Sequence, residues 1–233
     1  MMALPILEVS KYETVVPSTG KRIQYRPFLV KEEKILLIAQ ESKDSQQIIN
    51  ALKDIINACT FEKLNVDELA TYDLEYLFLQ LRAKSVGETV NLELKCDECK
   101  VANPVSIDLS KVKVVQSTEK IESKIQLTDE IGVTVRPIPV KEINNLSEKA
   151  EDFVKMIGIC IETIYDSNKI YNREDISEKE MITFVESLSR KQVEKIEKFI
   201  SNQPKLSHKE TFTCLNCKKK NVITLEGLQS FFT

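Results

Sequence analysis

The chain has 233 residues with a formal net charge of −3 at pH 7, and 42% of its residues are hydrophobic and 30% are charged. This length and balance are typical of a globular protein with one large or two small domains, and the acidic charge gives no general attraction to nucleic acid. No apolar run approaches the roughly 18 residues of a membrane span, and the single histidine and five glycines disfavour histidine-based catalysis and a glycine-rich phosphate loop.

The first half of the chain predicts a strand, helices and a β-hairpin, in that order. The segment KRIQY at 21–25 has the pattern of a short strand. Apolar residues then recur at helical spacing over 48–59, and again from Leu74 to Leu81, with Thr71 as the predicted N-cap. The alternating segments on either side of Cys96 and Cys99 predict a hairpin whose turn carries this Cys-x-x-Cys pair.

The second half predicts the same order of elements. GVTV at 132–135 is the predicted strand, and a helix is expected from Phe153 to Ile164. A further helix follows over 181–188, with Ser177 and Glu180 as its capping box, and an added helical segment is expected within 190–207. A second hairpin carries the remaining pair, Cys214 and Cys217.

The two halves resemble each other in sequence as well as in order. RPFLVKE at 26–32 recurs as RPIPVKE at 136–142, after a predicted strand in each case. We therefore expect an α+β fold of two tandem pseudo-symmetric repeats, 1–115 and 116–233, that form one compact body. Each repeat would contain strands, three helical segments and a Cys-x-x-Cys hairpin. Two unrelated α+β segments of similar composition are the alternative.

The two thiol pairs predict a metal site. The chain begins without a basic segment before its first apolar residues, so a reducing cytoplasm is expected, where paired thiols are more often metal ligands than disulfides. Structural zinc commonly takes four ligands from two such pairs, and four thiolates leave no open coordination position. The prediction is one structural zinc per chain, held by Cys96, Cys99, Cys214 and Cys217. Two redox dithiols, unmetallated pairs and an iron–sulfur cluster remain open alternatives.

Other reactive residues have ordinary structural explanations. Cys59 and Cys160 lie on apolar helical stripes and are expected to be buried thiols. His208 is not needed as a ligand when four thiols are available, and the three lysines at 218–220 are expected to form a solvated turn. For Phe231 and Phe232 two interpretations stay open: they complete the core of this chain, or they insert into a neighbouring subunit.

Three segments carry a resemblance to a known family: VVPSTGKRIQYRPFLVKEEKILLIAQES at 15–42, LEYLFLQLRAKSVGE at 74–88 and CLNCKKKNVITLEGLQSFF at 214–232. They resemble the baseplate proteins of T4-like bacteriophages, the small hub and hub-assembly components of contractile tails. The resemblance runs through most of the chain, and its first two segments are more specific than the cysteine pairs, which occur in many folds.

The resemblance implies a protein without enzymatic activity that contacts other baseplate and hub proteins of the phage tail. Its expected place is the virion baseplate, or the host cytoplasm during assembly. No membrane, small-molecule substrate or nucleic acid is expected as a partner. The alternative from the residues alone is a zinc-ribbon module that binds nucleic acid or transcription machinery. A permanent hub subunit and a transient assembly factor are not distinguished at this stage.

Overall fold

A computed structural model describes residues 7–116, 122–143, 146 and 150–231 of the chain, without the side chains of 150–152. Its described part is a mixed α+β fold with seven α-helices and eleven strands in four small sheets. The chain divides into two compact units, one of Met1–Val115 with Lys205–Thr233 and one of Gln116–Pro204.

The first unit begins with a hairpin and three helices. Strands β1 (Tyr12–Val15) and β2 (Arg22–Tyr25) pair antiparallel, and helices α1 (Val30–Ser42), α2 (Ser45–Cys59) and α3 (Thr71–Ser85) follow. The apolar residues of α2 recur on one face, which is buried in the unit, whereas α3 has buried residues on nearly all of its sides. Strands β3 (Thr89–Lys95) and β4 (Ala102–Asp108) form the next hairpin, and β5 (Lys113–Val115) ends this part.

The second unit is a four-stranded antiparallel sheet with four helices. Its elements are β6 (Lys124–Gln126), β7 (Gly132–Val135), α4 (Val140–Ile143), α5 (Ala150–Cys160), β8 (Ile161–Tyr165), β9 (Ile170–Asn172), α6 (Glu178–Glu186) and α7 (Arg190–Ser201). The strands are ordered β6-β7-β8-β9. Val133, Ile157, Ile161 and Ile196 are fully buried in a core that the sheet shares with α5, α6 and α7.

The chain then returns to the first unit with a long hairpin. Strand β10 (Lys205–Thr213) pairs on one side with β5 and on the other with β11 (Lys220–Glu226). A short 3-10 turn, Leu228–Phe231, packs against α3, and Phe231 is fully buried. Phe231 therefore completes the core of its own unit. The other interpretation, in which this residue inserts into a neighbouring subunit, is wrong. Phe232 lies outside the described residues.

Two details of the predicted helices are wrong. The helix expected from Phe153 to Ile164 ends at Cys160, and Ile164 lies on β8, where it pairs with Val133 of β7. The β-branched residues of this stretch favour a strand, and pairing with β7 decides between the two structures. Thr71 is the first residue of α3 rather than its cap: Asp73 accepts the N–H of Ala70 from within the first turn.

The capping box of Ser177 and Glu180 is confirmed, since each side chain accepts the backbone N–H of the other. The added helical segment is α7, which ends before Pro204. The same backbone hydrogen bond also occurs once in each half of the chain. The N–H of Arg26 donates to the carbonyl of Cys59 at 3.0 Å, and the N–H of Arg136 donates to the carbonyl of Cys160 at 2.8 Å.

The compact units and the predicted repeats share a boundary after residue 115, but they assign 205–233 differently. The hairpin of β10 and β11 belongs to the first compact unit, although it is the last part of the second predicted repeat. This assignment is compatible with duplication, because a repeat is defined by its sequence and element order and not by the unit in which its last hairpin packs. The tandem repeat stays a prediction.

Candidate metal centre

Each Cys-x-x-Cys pair occupies the turn of its hairpin. We call residues 95–101 the first knuckle and residues 213–219 the second knuckle. In the first, the N–H of Cys96 donates to the carbonyl of Val101, and the N–H of Lys100 donates back to the carbonyl of Cys96, both at 2.9 Å. This pairing closes a tight turn that aims both sulfurs to one side.

The second knuckle repeats this geometry. The N–H of Cys214 donates to the carbonyl of Lys219 at 2.9 Å, and the N–H of Lys218 donates to the carbonyl of Cys214 at 3.0 Å. The residue after the second cysteine has a left-handed backbone in both knuckles, with φ of 58° at Lys100 and 61° at Lys218. Two sequences that share little beyond their cysteines thus adopt the same turn.

The four sulfurs meet at one point between the two hairpins. The Sγ atoms of Cys96 and Cys217 are 3.6 Å apart, as are those of Cys99 and Cys214. All four Sγ atoms lie within 4.8 Å of one another. A tetrahedral ion with metal–sulfur bonds of about 2.3 Å has sulfur–sulfur edges of about 3.8 Å, so this spacing suits a four-thiolate centre. Within the described residues, no other group of three or more His, Cys, Asp or Glu side chains has this spacing.

The thiols differ in how readily they ionise. Backbone N–H donation from Cys217 and Asn216 lowers the pKa of Cys214 to about 6, and donation from Cys99 and Glu98 lowers the pKa of Cys96. The amide of Lys219 favours the Cys217 thiolate, but burial and the neighbouring thiols raise its pKa to about 12. A bound cation would offset this mutual repulsion, because metal binding requires the deprotonated ligands.

Two buried asparagines join the knuckles to each other. The Oδ1 atom of Asn103 on β4 accepts the N–H of Leu215 at 2.8 Å, and the Oδ1 atom of Asn221 on β11 accepts the N–H of Asp97 at 3.0 Å. The sequence interpretation missed both residues. Their signal is a shared spacing, since each asparagine stands four residues after the second cysteine of its pair, in CDECKVAN and CLNCKKKN.

An ion pair also bridges the two knuckles. The ammonium of Lys219 lies 2.6 Å from a carboxylate oxygen of Glu98, and this contact lowers the pKa of Glu98. The Nζ of Lys218 donates to the carbonyl of Leu215 at 2.8 Å. The side chain of Lys219 is used between the knuckles and that of Lys218 within its own turn, so neither belongs to a free basic patch. Solvent screens the ion pair of Lys219 and Glu98, because both side chains are exposed.

The remaining cysteines and the histidine lie apart from this cluster. Cys59 and Cys160 are fully buried, and burial raises their pKa values to about 11 and about 12. These are protonated packing residues, in agreement with the sequence prediction. The Nε2 atom of His208 lies 3.0 Å from the carboxylate of Glu210, and His208 is not among the four clustered side chains.

None of the helices in the described part of the chain is both long and apolar enough to span a membrane. A more specific class follows from comparison with known proteins. The family model described as "T4 bacteriophage base plate protein" matches residues 9–233. The chain belongs to this family, and the resemblance inferred from the sequence is confirmed.

One relative aligns over nearly its whole length. The chain is 26% identical over 224 residues to "Baseplate hub assembly protein gp26" of Enterobacteria phage T4, an alignment that covers 95% of this chain and 98% of that protein. No solved structure matches the chain. The sequence relationship therefore extends over 95% of this chain.

Proposed function

We propose that the chain is a structural or assembly protein of the hub region in the baseplate of a contractile phage tail. The observation that carries this proposal is the alignment with the T4 hub assembly protein over 95% of this chain and 98% of that protein. A match of this extent includes both compact units, so the role of the relative is transferred to the whole chain rather than to one segment. The expected place is the tail baseplate, or the host cytoplasm while baseplates are assembled.

The chain acts, in this proposal, through contacts with other baseplate proteins and not through catalysis. The cluster of Cys96, Cys99, Cys214 and Cys217 supports this role, because four thiolates around one ion leave no position for a substrate or water. The buried Cys59 and Cys160 hold their protons, which is unsuitable for a nucleophile. The proposed activity is binding alone.

The proposed ligand of the cluster is one structural zinc ion. Zinc favours tetrahedral thiolate sites made by two Cys-x-x-Cys turns, and it has no redox chemistry of its own. It would join the hairpin of β3 and β4 to the hairpin of β10 and β11, which are far apart in sequence. The staple would therefore close a long loop of chain and fix the end of the first unit.

We also propose that 1–115 and 116–233 are tandem repeats. The support is the common order of strand, helices and cysteine hairpin, the matched N–H donation from Arg26 to Cys59 and from Arg136 to Cys160, and the matched turns of the two knuckles. In this account the zinc site forms from the last element of each repeat, so that each half of the chain contributes two ligands.

A phage that lacks the gene for this chain tests the proposed function. Infected cells should then contain no complete baseplates by electron microscopy, and the chain supplied in trans should restore them. Normal baseplates in the absence of the chain would contradict the proposal. Mass spectrometry of purified virions then separates the two roles: a permanent hub subunit is present in the particle, whereas an assembly factor is not.

A nucleic-acid-binding module predicts a different result in vitro. Its retention on DNA would fall steeply with salt, because contacts with phosphates release counterions. The purified chain should show no such retention at low salt, since Lys218 and Lys219 of the second knuckle already have partners within the protein. Salt-sensitive binding together with normal baseplates would favour the module instead.

A further inference from the structure

Asn103 and Asn221 are the two buried asparagines next to the cysteine cluster, and each is only 2% exposed. A buried side-chain amide that lacks partners is destabilising, so a buried asparagine is expected to have its donors and acceptor in use. Both residues lie on the strand that leaves a knuckle, at matching positions on β4 and β11.

The amino group of each asparagine is anchored to its own knuckle. The Nδ2 atom of Asn103 donates to the carbonyl of Val101 at 2.8 Å, and this carbonyl also accepts the N–H of Cys96. The Nδ2 atom of Asn221 donates to the carbonyl of Lys219 at 3.0 Å, which also accepts the N–H of Cys214. The side chain is thereby held in one orientation relative to the turn that precedes it.

The carbonyl oxygen of each asparagine reaches the opposite knuckle. Asn103 accepts the N–H of Leu215, the residue directly after Cys214, and Asn221 accepts the N–H of Asp97, the residue directly after Cys96. The backbone beside the first ligand of each pair is therefore fixed by the other hairpin. These bonds use only protein atoms, so they can form before any ion arrives.

We infer that Asn103 and Asn221 are positioning residues of the four-thiolate site, and that each sets the knuckle of the opposite hairpin. The two asparagines would give the proposed metal site a pre-assembled framework. Their functional meaning rests on the proposed zinc site. Partners of metal ligands are expected to act in this way, because a ligand held in its binding orientation loses less conformational freedom when the ion binds.

A crossed pattern of thiol reactivity tests the inference in the metal-free protein. Trypsin separates the knuckles into the peptides 96–100 and 210–218, so the alkylation of each pair by iodoacetamide is measured by mass spectrometry in one sample. Asn103→Ala should speed the alkylation of Cys214 and Cys217 by about two- to tenfold, the effect of losing one hydrogen bond. Asn221→Ala should do the same for Cys96 and Cys99.

Two further variants separate positioning from a general loss of stability. Asn103→Asp keeps an acceptor oxygen for the N–H of Leu215 but loses the donor to Val101, so the alkylation of Cys214 and Cys217 should fall between that of the wild type and that of Asn103→Ala. Asn91→Ala removes an exposed asparagine from β3 of the same hairpin and should change neither peptide by more than about twofold.

The affinities for cobalt(II) and zinc(II) then measure how each substitution affects the metal site itself. Each Asn→Ala variant should still bind one cobalt with the absorption of a tetrahedral thiolate centre, but with affinity lowered by about 10- to 100-fold in chelator competition. Asn91→Ala should bind like the wild type. Wild-type affinity in both Asn→Ala variants would overturn the positioning role.

The two proposals fail in different ways. If the wild type binds no metal, the zinc staple is wrong, and the crossed alkylation pattern still decides whether the asparagines set the opposite knuckles. If alkylation rises equally in both peptides, or only in the peptide from the variant's own hairpin, the crossed positioning is overturned even when metal is bound.

Discussion

The carboxylate of Asp73 accepts the backbone N–H of Ser18 at 2.9 Å, a contact that ties the turn between β1 and β2 to the first turn of α3. The second oxygen of the same carboxylate accepts the N–H of Ala70 at 3.2 Å. Asp73 is fully buried, and burial raises its pKa although both N–H groups act to lower it. One side chain thus caps a helix and positions a hairpin from a different part of the sequence.

Replacement of Asp73 by alanine should destabilise the first unit strongly, because the buried N–H of Ala70 and the N–H of Ser18 both lose their acceptor. The expected loss in the free energy of unfolding is about 2–4 kcal/mol, measured by urea denaturation. Glu180→Ala provides a matched control, since Glu180 has the same place in the capping box of α6 but is exposed. It should cost clearly less than Asp73→Ala, because water can replace the hydrogen bonds of an exposed carboxylate. Equal losses would contradict the role given to burial of Asp73.

Phe231 offers a test of the C-terminal turn. Because its ring is fully buried in the first unit, Phe231→Ala should lower the free energy of unfolding of the isolated chain by about 3–5 kcal/mol. Ile38→Ala, at a side chain that is 55% exposed on α1, should change it by about 0.5 kcal/mol or less. A stable Phe231→Ala monomer that fails only in assembly would instead indicate insertion into a neighbouring subunit.

Burial of Cys160 predicts a loss of stability at alkaline pH. Its thiol holds its proton to about pH 12 in the folded protein, whereas an unfolded thiol ionises near pH 8.5. Between these values the folded state binds more protons than the unfolded state. The contribution of this thiol to stability is therefore fully present below about pH 8.5 and falls as the pH rises toward about 12.

The comparison that isolates this thiol is wild type against Cys160→Ala. From about pH 8 to about pH 10.5, the wild type should lose about 2–3 kcal/mol more than the variant in urea denaturation. The shared alkaline effects of tyrosines and lysines cancel in this difference. Identical pH profiles for the two proteins would contradict a buried, protonated thiol at this position.

The meeting of the four thiols could be predicted from sequence because each pair has the Cys-x-x-Cys spacing of a metal-binding turn. Cys96 and Cys99 indicate one tight turn, Cys214 and Cys217 another, and the internal similarity of the halves indicates that they meet. The asparagines were missed because asparagine is common near turns. Asn103 and Asn221 stand out only when the sequences of the two knuckles are aligned with each other.

The helices show where local pattern is insufficient. The apolar spacing of Phe153, Ile157 and Cys160 predicts α5 correctly, but the same spacing continues to Ile164 beyond the end of the helix. What ends α5 is the pairing of β8 with β7, a contact between segments that are distant in sequence. Likewise, the cap of α3 is a residue within the helix, and its second partner, Ser18, is not visible from local sequence.

The most direct test of the shared site is the zinc content of the purified chain and of three cysteine variants, measured by elemental mass spectrometry. The wild type should hold one zinc per chain, and Cys96→Ser and Cys214→Ser should each hold none, because either change removes a ligand from the same ion. Cys59→Ala, which removes a thiol outside the cluster, should keep one zinc. If Cys96→Ser loses its zinc while Cys214→Ser keeps a full equivalent, or if the wild type holds two ions, the two knuckles do not form one site.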